Sequence, residues 1–184
     1  MKPSYEAKIL DKTDIESRKE DLYSEFSKIY GEKFRGAEVF KDIVNAATHG
    51  AEIYEEDDGQ NSKVGAAVLA SSATGRILMA GAIHGKGFNE GRKKRAIEAL
   101  KTINEANECE HWISVSCDQT KMEKVVLESG MIEVGSLEKA QEILQKTGRA
   151  EDYEISQSQD SLIISTKNRG YKQKLYISDN QKDL

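Results

Sequence analysis

The chain has 184 residues, enough for one domain with a sizeable core. Hydrophobic residues make up 38% and charged residues 32%, the composition of a soluble globular protein, and a net charge of −5 argues against a broad surface for duplex DNA. No apolar run approaches the roughly 18 residues of a membrane span, and the opening MKPSYEAKILDKTD lacks the apolar stretch of a secretory signal, so a cytoplasmic protein is expected. Cys109 and Cys117 have neither CxxC spacing nor histidine-rich surroundings, and they read as reduced thiols with no metal site.

In chain order, Tyr5 to Leu10 is a short strand. Thr13-Asp14-Ile15-Glu16 has the capping-box pattern of a helix start. Ile15, Leu22, Phe26, Ile29 and Tyr30 share one helical face, and Gly31 is a plausible stop. A second helix is expected from Ala37 to His49, ended by Gly50. Ala51 to Tyr54 and Lys63 to Ala70 read as a hairpin around an acidic turn from Glu55 to Asn61. That acid cluster attracts a cationic amine in one use and is a solvated tip in the other.

Arg76 to Ile83 is an apolar, small-residue strand. The loop His84-Gly85-Lys86-Gly87-Phe88-Asn89 leads from it into a helix running to about Ala106. His111 to Ser116 is the next strand, with Asp118 as cap of a following helix that turns Met122, Val125 and Val126 inward. Gly130 sits where a helix stops on a left-handed residue. Met131 to Val134 is a short strand. Ser136 caps a helix to Lys146 that buries Leu137, Ala140, Ile143 and Leu144. Gly148 to Gln159 reads as loop. Ser161 to Thr166 and Lys174 to Ile177 are the last strands, and residues 178–184 a frayed tail. The order of elements gives an α/β or α+β sheet with helices on both faces.

The stretch from Val64 to Gly135 resembles the GNAT superfamily of acyl-CoA-dependent N-acyltransferases. The family's pyrophosphate loop runs Arg or Gln, two residues, Gly, one residue, Gly or Ala. His84 to Asn89 stands in its place, with Gly87 at the first glycine, His84 where Arg or Gln is usual and Asn89 where Gly or Ala is usual. Asp118 to Gly135 is similar to the second signature, a helix ending in a Gly-aromatic step before a strand that closes on Val-Gly, with Met131 in place of the aromatic residue. The resemblance implies one GNAT-like domain over residues 1–184, a single mixed and mostly antiparallel sheet flanked by helices. The helix and loop of residues 136–160 are an addition to it.

It also implies acetyl-CoA or another acyl-CoA as substrate and an amine as acceptor. Elementary chemistry supports part of this. Gly85 and Gly87 let backbone approach a pyrophosphate, and the N–H groups of roughly Lys86 to Gly91 would point at its oxygens. Arg92, Lys93, Lys94 and Arg95 add positive charge in a first turn where cations oppose the helix dipole unless an anion is present. Ala82 and Ile83 close the strand whose backbone, in the family, bonds the pantetheine arm. A plain turn and a solvated basic face are the other use of these residues.

Catalysis is less visible. In the family a strand carboxylate commonly serves as base and a tyrosine as acid. The tyrosine position falls on Val126, and Ile77 to Ile83 carries no carboxylate. His84, Cys117 and Glu52 are the candidate substitutes, as proton acceptor, thiol acid or acyl acceptor, and cleft carboxylate. The alternatives are a GNAT fold without catalysis, or a nucleic-acid-modifying relative using Arg92 to Arg95 with Lys167, Arg169, Lys172 and Lys174, against which the acidic net charge stands. Pairing through the C-terminal strands, common in the family, leaves a homodimer open.

Overall fold

Alternation of apolar and polar residues in SYEAKIL makes the first strand, β1 (Ser4–Leu10), a half-buried ribbon with Tyr5, Ala7 and Ile9 on one face. The computed structural model of the chain describes residues 3–30, 41, 44–71, 75–83, 90–105, 110–146, 150–158, 161–168 and 170–178. The described residues form two units, Met1–Ala70 with Leu78–Asn107, and Ser71–Ile77 with Glu108–Leu184.

In the first unit β1, β2 (His49–Asp57) and β3 (Gln60–Ser71) pair antiparallel in sequence order. Helix α1 (Lys12–Ser17) is capped by Asp11, whose carboxylate accepts from the Asp14 N–H at 2.8 Å while the Asp14 carboxylate accepts from the Asp11 N–H at 3.4 Å. The cap is therefore Asp11, not Thr13. Arg18, at φ −116° and ψ 12°, breaks what reads as one helix into α1 and α2 (Lys19–Tyr30). Residues 41 and 44–46 are helical, but His49 and Gly50 belong to β2, so the second helix stops before His49. Gly50 suits that crowded strand, because a Cβ there would lie 3.2 Å from the Ala67 carbonyl oxygen. Val39, Phe40 and Ile43 of the expected helix fall outside the described residues.

The acidic segment is strand rather than turn up to Asp57. Asp58 (φ 49°) and Gly59 (φ 78°) alone make a two-residue turn of the left-handed type that matches strand twist. A β-bulge follows. Ile53 faces Gly65 while Tyr54 faces Lys63, so Val64 is the extra residue. The bulge reverses the alternation of β3. Val64 joins Ala51, Ile53 and Ala67 on the face covered by helix α3 (Glu90–Glu105) through Ala99 and Ile103. Lys63 turns to the opposite face, where Leu10, Ile15, Leu22, Phe26, Val44, Ala47 and Ala66 pack. Helices thus cover both faces of this part of the sheet.

In the second unit the start of β4 (Gly75–Ile83) runs parallel to β5 (Glu110–Ser116). The remaining described pairings are antiparallel: β5 with β9 (Lys172–Ser178), β9 with β6 (Met131–Glu133) and with β8 (Ser161–Thr166), and β8 with β7 (Tyr153–Ser158). Strand β7 lies within the segment that reads as loop. Only Tyr153 and Ile155 are apolar in YEISQS, and they pack beside a core of Trp112, Ile143, Leu144, Ile164 and Leu175. Helix α4 (Thr120–Glu128) buries Val125 and Val126, while Met122 is half-buried. Its N-cap residue is Gln119 without a side-chain bond, and Asp118 instead accepts from the Ser116 hydroxyl at 2.5 Å. Gly130 has φ 89°, the left-handed stop that its position predicts. Helix α5 (Leu137–Lys146) starts at Ser136, whose hydroxyl accepts from the Lys139 N–H at 3.3 Å. Ala140, Ile143 and Leu144 are buried as expected, but Leu137 is 49% exposed because it lies in the first turn, outside the packed stripe. The whole is an α+β fold built on a mostly antiparallel sheet with helices packed against it.

Candidate functional site

Strand β4 closes with Ala82 and Ile83, and α3 opens at Glu90. The six residues between them, His84, Gly85, Lys86, Gly87, Phe88 and Asn89, lie outside the described residues. Arg92 and Lys93 are half-buried in the first turn of α3, and Lys94 is exposed. Arg95 has a different job. Residues 95, 99 and 103 stand four apart and share a face, and Ala99 and Ile103 are in the core. Arg95 accordingly turns to the sheet. Its Nε donates to Glu55 Oε2 at 2.5 Å and its Nη2 donates to Glu55 Oε1 at 3.3 Å. Tyr5, paired with Glu55 across β1 and β2, stands beside the guanidinium. The bond to Glu55 holds the Arg95 guanidinium above its ordinary value, and burial, reinforced by the Glu55 charge, raises the Tyr5 phenol.

On the other face of β2 lies Glu52, 4% exposed. Its carboxylate pairs with Arg18, at the break between α1 and α2, and with Lys63 Nζ at 3.2 Å. Tyr54 Oη donates to it at 2.9 Å, and Lys63 also reaches Glu25 of α2 at 2.8 Å. Burial pushes the Glu52 carboxyl up, but the bonds from Arg18, Tyr54 and Lys63 outweigh it and hold the group at about 2. Burial lowers the Lys63 ammonium, and Glu25 and Glu52 together more than reverse that. Burial and the bond to Glu52 raise Tyr54. Arg18, Glu25 and Lys63 carry no sequence pattern that marks them; only the bulge brings Lys63 round to this face.

In the second unit Cys117 is an exposed free thiol just after β5, and its N–H donates to the Lys172 carbonyl at 3.0 Å. Tyr176 is buried on β9, and its hydroxyl donates to Glu123 of α4 at 2.8 Å. Lys174 bridges Glu123 at 2.9 Å and Glu133 at 3.4 Å. Lys174 and then Tyr176 hold the Glu123 carboxyl low, while burial and then Glu123 raise the Tyr176 phenol. Val126 is fully buried. His111, which opens β5, is buried, and its backbone N–H donates to the Ser178 hydroxyl at 2.8 Å. Among the described residues no group of three or more His, Cys, Asp or Glu side chains is placed to hold a metal ion, and no helix is long and apolar enough to cross a membrane.

No protein-family model matches the chain, and no curated protein matches it in sequence. Solved structures do match in fold. Aminoglycoside 6′-acetyltransferase type Ii aligns at a TM-score of 0.52 and 10% identity, over 97% of this chain and 96% of that one. FdhC, a nucleotide-linked sugar GNAT, aligns at 0.51 and 12% identity, over 95% and 85%. A GNAT-family acetyltransferase from Bacillus cereus ATCC 10987 aligns at 0.50 and 11% identity, over 95% and 96%. At such identities the likeness is one of fold, and the fold is GNAT.

Proposed function

We propose that this GNAT-fold chain is an acyl-CoA-dependent N-acyltransferase that moves an acetyl or related acyl group to an amine. The supporting observation is the coincidence of that fold with a glycine-bearing joint between β4 and α3 whose helix opens on half-buried Arg92 and Lys93. The N–H groups of Gly85, Lys86, Gly87, Phe88 and Asn89 take the pyrophosphate, helped by the helix dipole. Arg92 and Lys93 neutralise phosphate charge. Backbone groups of Ala82 and Ile83 hold the pantetheine arm.

Acyl-CoA supplies the acyl group as an activated thioester. The amine nitrogen attacks the carbonyl carbon, a C–N bond forms and the C–S bond breaks. One proton leaves the nitrogen and the departing thiolate gains one. His84 and Cys117 are the proposed proton carriers. Glu52 enters as a fixed negative charge, because a carboxyl held at about 2 gives up its proton readily and takes one poorly at neutral pH. It holds the Tyr54 hydroxyl in one orientation.

The test is thiol release from acetyl-CoA in the presence of a polyamine, a lysine peptide and an amino sugar. Release above the hydrolysis background with at least one acceptor is expected. A panel with none overturns transfer to amines. A second use, a GNAT fold that binds without catalysis, is favoured by one observation: the family's tyrosine position is Val126, sealed in the core. It predicts acetyl-CoA binding with no thiol release on any acceptor.

A further inference from the structure

We infer that Glu55 is a positioning residue for acyl-CoA binding: it withdraws Arg95 from the basic run Arg92 to Arg95, fixes α3 against β1 and β2, and leaves the phosphates to Arg92 and Lys93. This rests on the acyl-CoA function proposed above. The sequence RKKR offers four cations in succession, and a helix distributes them around its axis. Arg95 falls on the stripe of Ala99 and Ile103, which packs on Ala51 and Ile53. The register of β1 and β2 sets Tyr5 opposite Glu55. Arg95 lands on that pair, two nitrogens on the two carboxylate oxygens, with the Glu55 side chain only 11% exposed.

A guanidinium and a carboxylate joined by two bonds fix orientation as well as distance. Glu55 therefore sets the rotation of α3 about its axis, and with it the direction of Arg92 and Lys93. It also supplies the counter-charge that a cation near a helix start needs, so Arg95 is satisfied without a ligand. An apolar stripe alone lets the helix slide or roll; the ion pair at its first turns does not.

Acetyl-CoA and dephospho-CoA are titrated calorimetrically into the wild-type protein and into Glu55→Gln, Arg95→Gln, the double variant and Arg92→Gln. Glu55→Gln and Arg95→Gln should each weaken acetyl-CoA binding about fivefold, and the double variant no more than either alone, the sign of one shared contact. Both should keep the wild-type ratio of the two ligands' affinities, because neither residue touches the phosphate that distinguishes them. Arg92→Gln combined with Glu55→Gln should lose more than either. The swap of Glu55→Arg with Arg95→Glu rebuilds the pair and should recover affinity, which separates lost positioning from lost folding. If Arg95 is itself a phosphate ligand, Glu55→Gln releases it and binding tightens; that result overturns the inference, as does unchanged affinity or a swap that recovers nothing. A wild-type protein that binds neither ligand overturns the acyl-CoA function and this inference together, whereas a binding wild type with a tighter Glu55→Gln overturns this inference alone.

Discussion

Glu52 is buried with its charge intact because three donors surround it. Its carboxyl lies at about 2 in the fold against 4.5 for the ordinary group, so the fold binds its proton less tightly than the unfolded chain does. The stability it contributes is complete above pH 4.5 and is lost as pH falls from there toward 2. Glu52→Gln should therefore cost about 2 kcal/mol in urea unfolding at pH 7, and much less at pH 3. A cost equal at both pH values contradicts the ion-pair account. The acid was legible in the sequence as a residue of interest, but its partners were not. Arg18 and Lys63 come from other elements, and nothing local marks them. Arg95 was legible, because its spacing from Ala99 and Ile103 separates it from Arg92 and Lys93.

At the scale of elements, β3 carries one extra residue. Deleting Val64 removes the bulge but leaves Gly65 opposite Ile53 and Lys63 opposite Tyr54, so Lys63 keeps its face and its ion pairs with Glu52 and Glu25 while an apolar side chain is lost from the α3 face. The deletion and Val64→Ala should each lose roughly 1–2 kcal/mol, both read from urea midpoints. Gly130→Ala should cost about 1 kcal/mol, since φ 89° strains an L side chain although nothing within 4 Å obstructs a Cβ. Most strands and the α3, α4 and α5 helices were legible from their periods and stops. Strand β7 was not, because an edge ribbon with two apolar residues has no alternation strong enough to read. The break at Arg18 was not legible either, since the residues around it fit an unbroken helix and the Asp11 cap competes with the box beginning at Thr13.

At the scale of the whole molecule, the resemblance carried by Val64 to Gly135 predicted the GNAT fold, and the solved acetyltransferases share that fold at 10–12% identity. Fold was legible because the order of strands and helices survives when side chains change. The acceptor was not, because amine recognition rests on individual side chains that no pattern here specifies. A ligand that binds only the folded chain must also stabilise it, so acetyl-CoA at one hundred times its dissociation constant should add about 2.7 kcal/mol and raise the melting temperature by several degrees. The most direct test of the central claim is a calorimetric titration of the protein with acetyl-CoA. A one-to-one isotherm with a dissociation constant on the order of tens of micromolar is expected, weakened at least about fivefold by replacing Arg92 and Lys93 together with Gln. No heat of binding at about millimolar acetyl-CoA, or binding indifferent to those two residues, contradicts it.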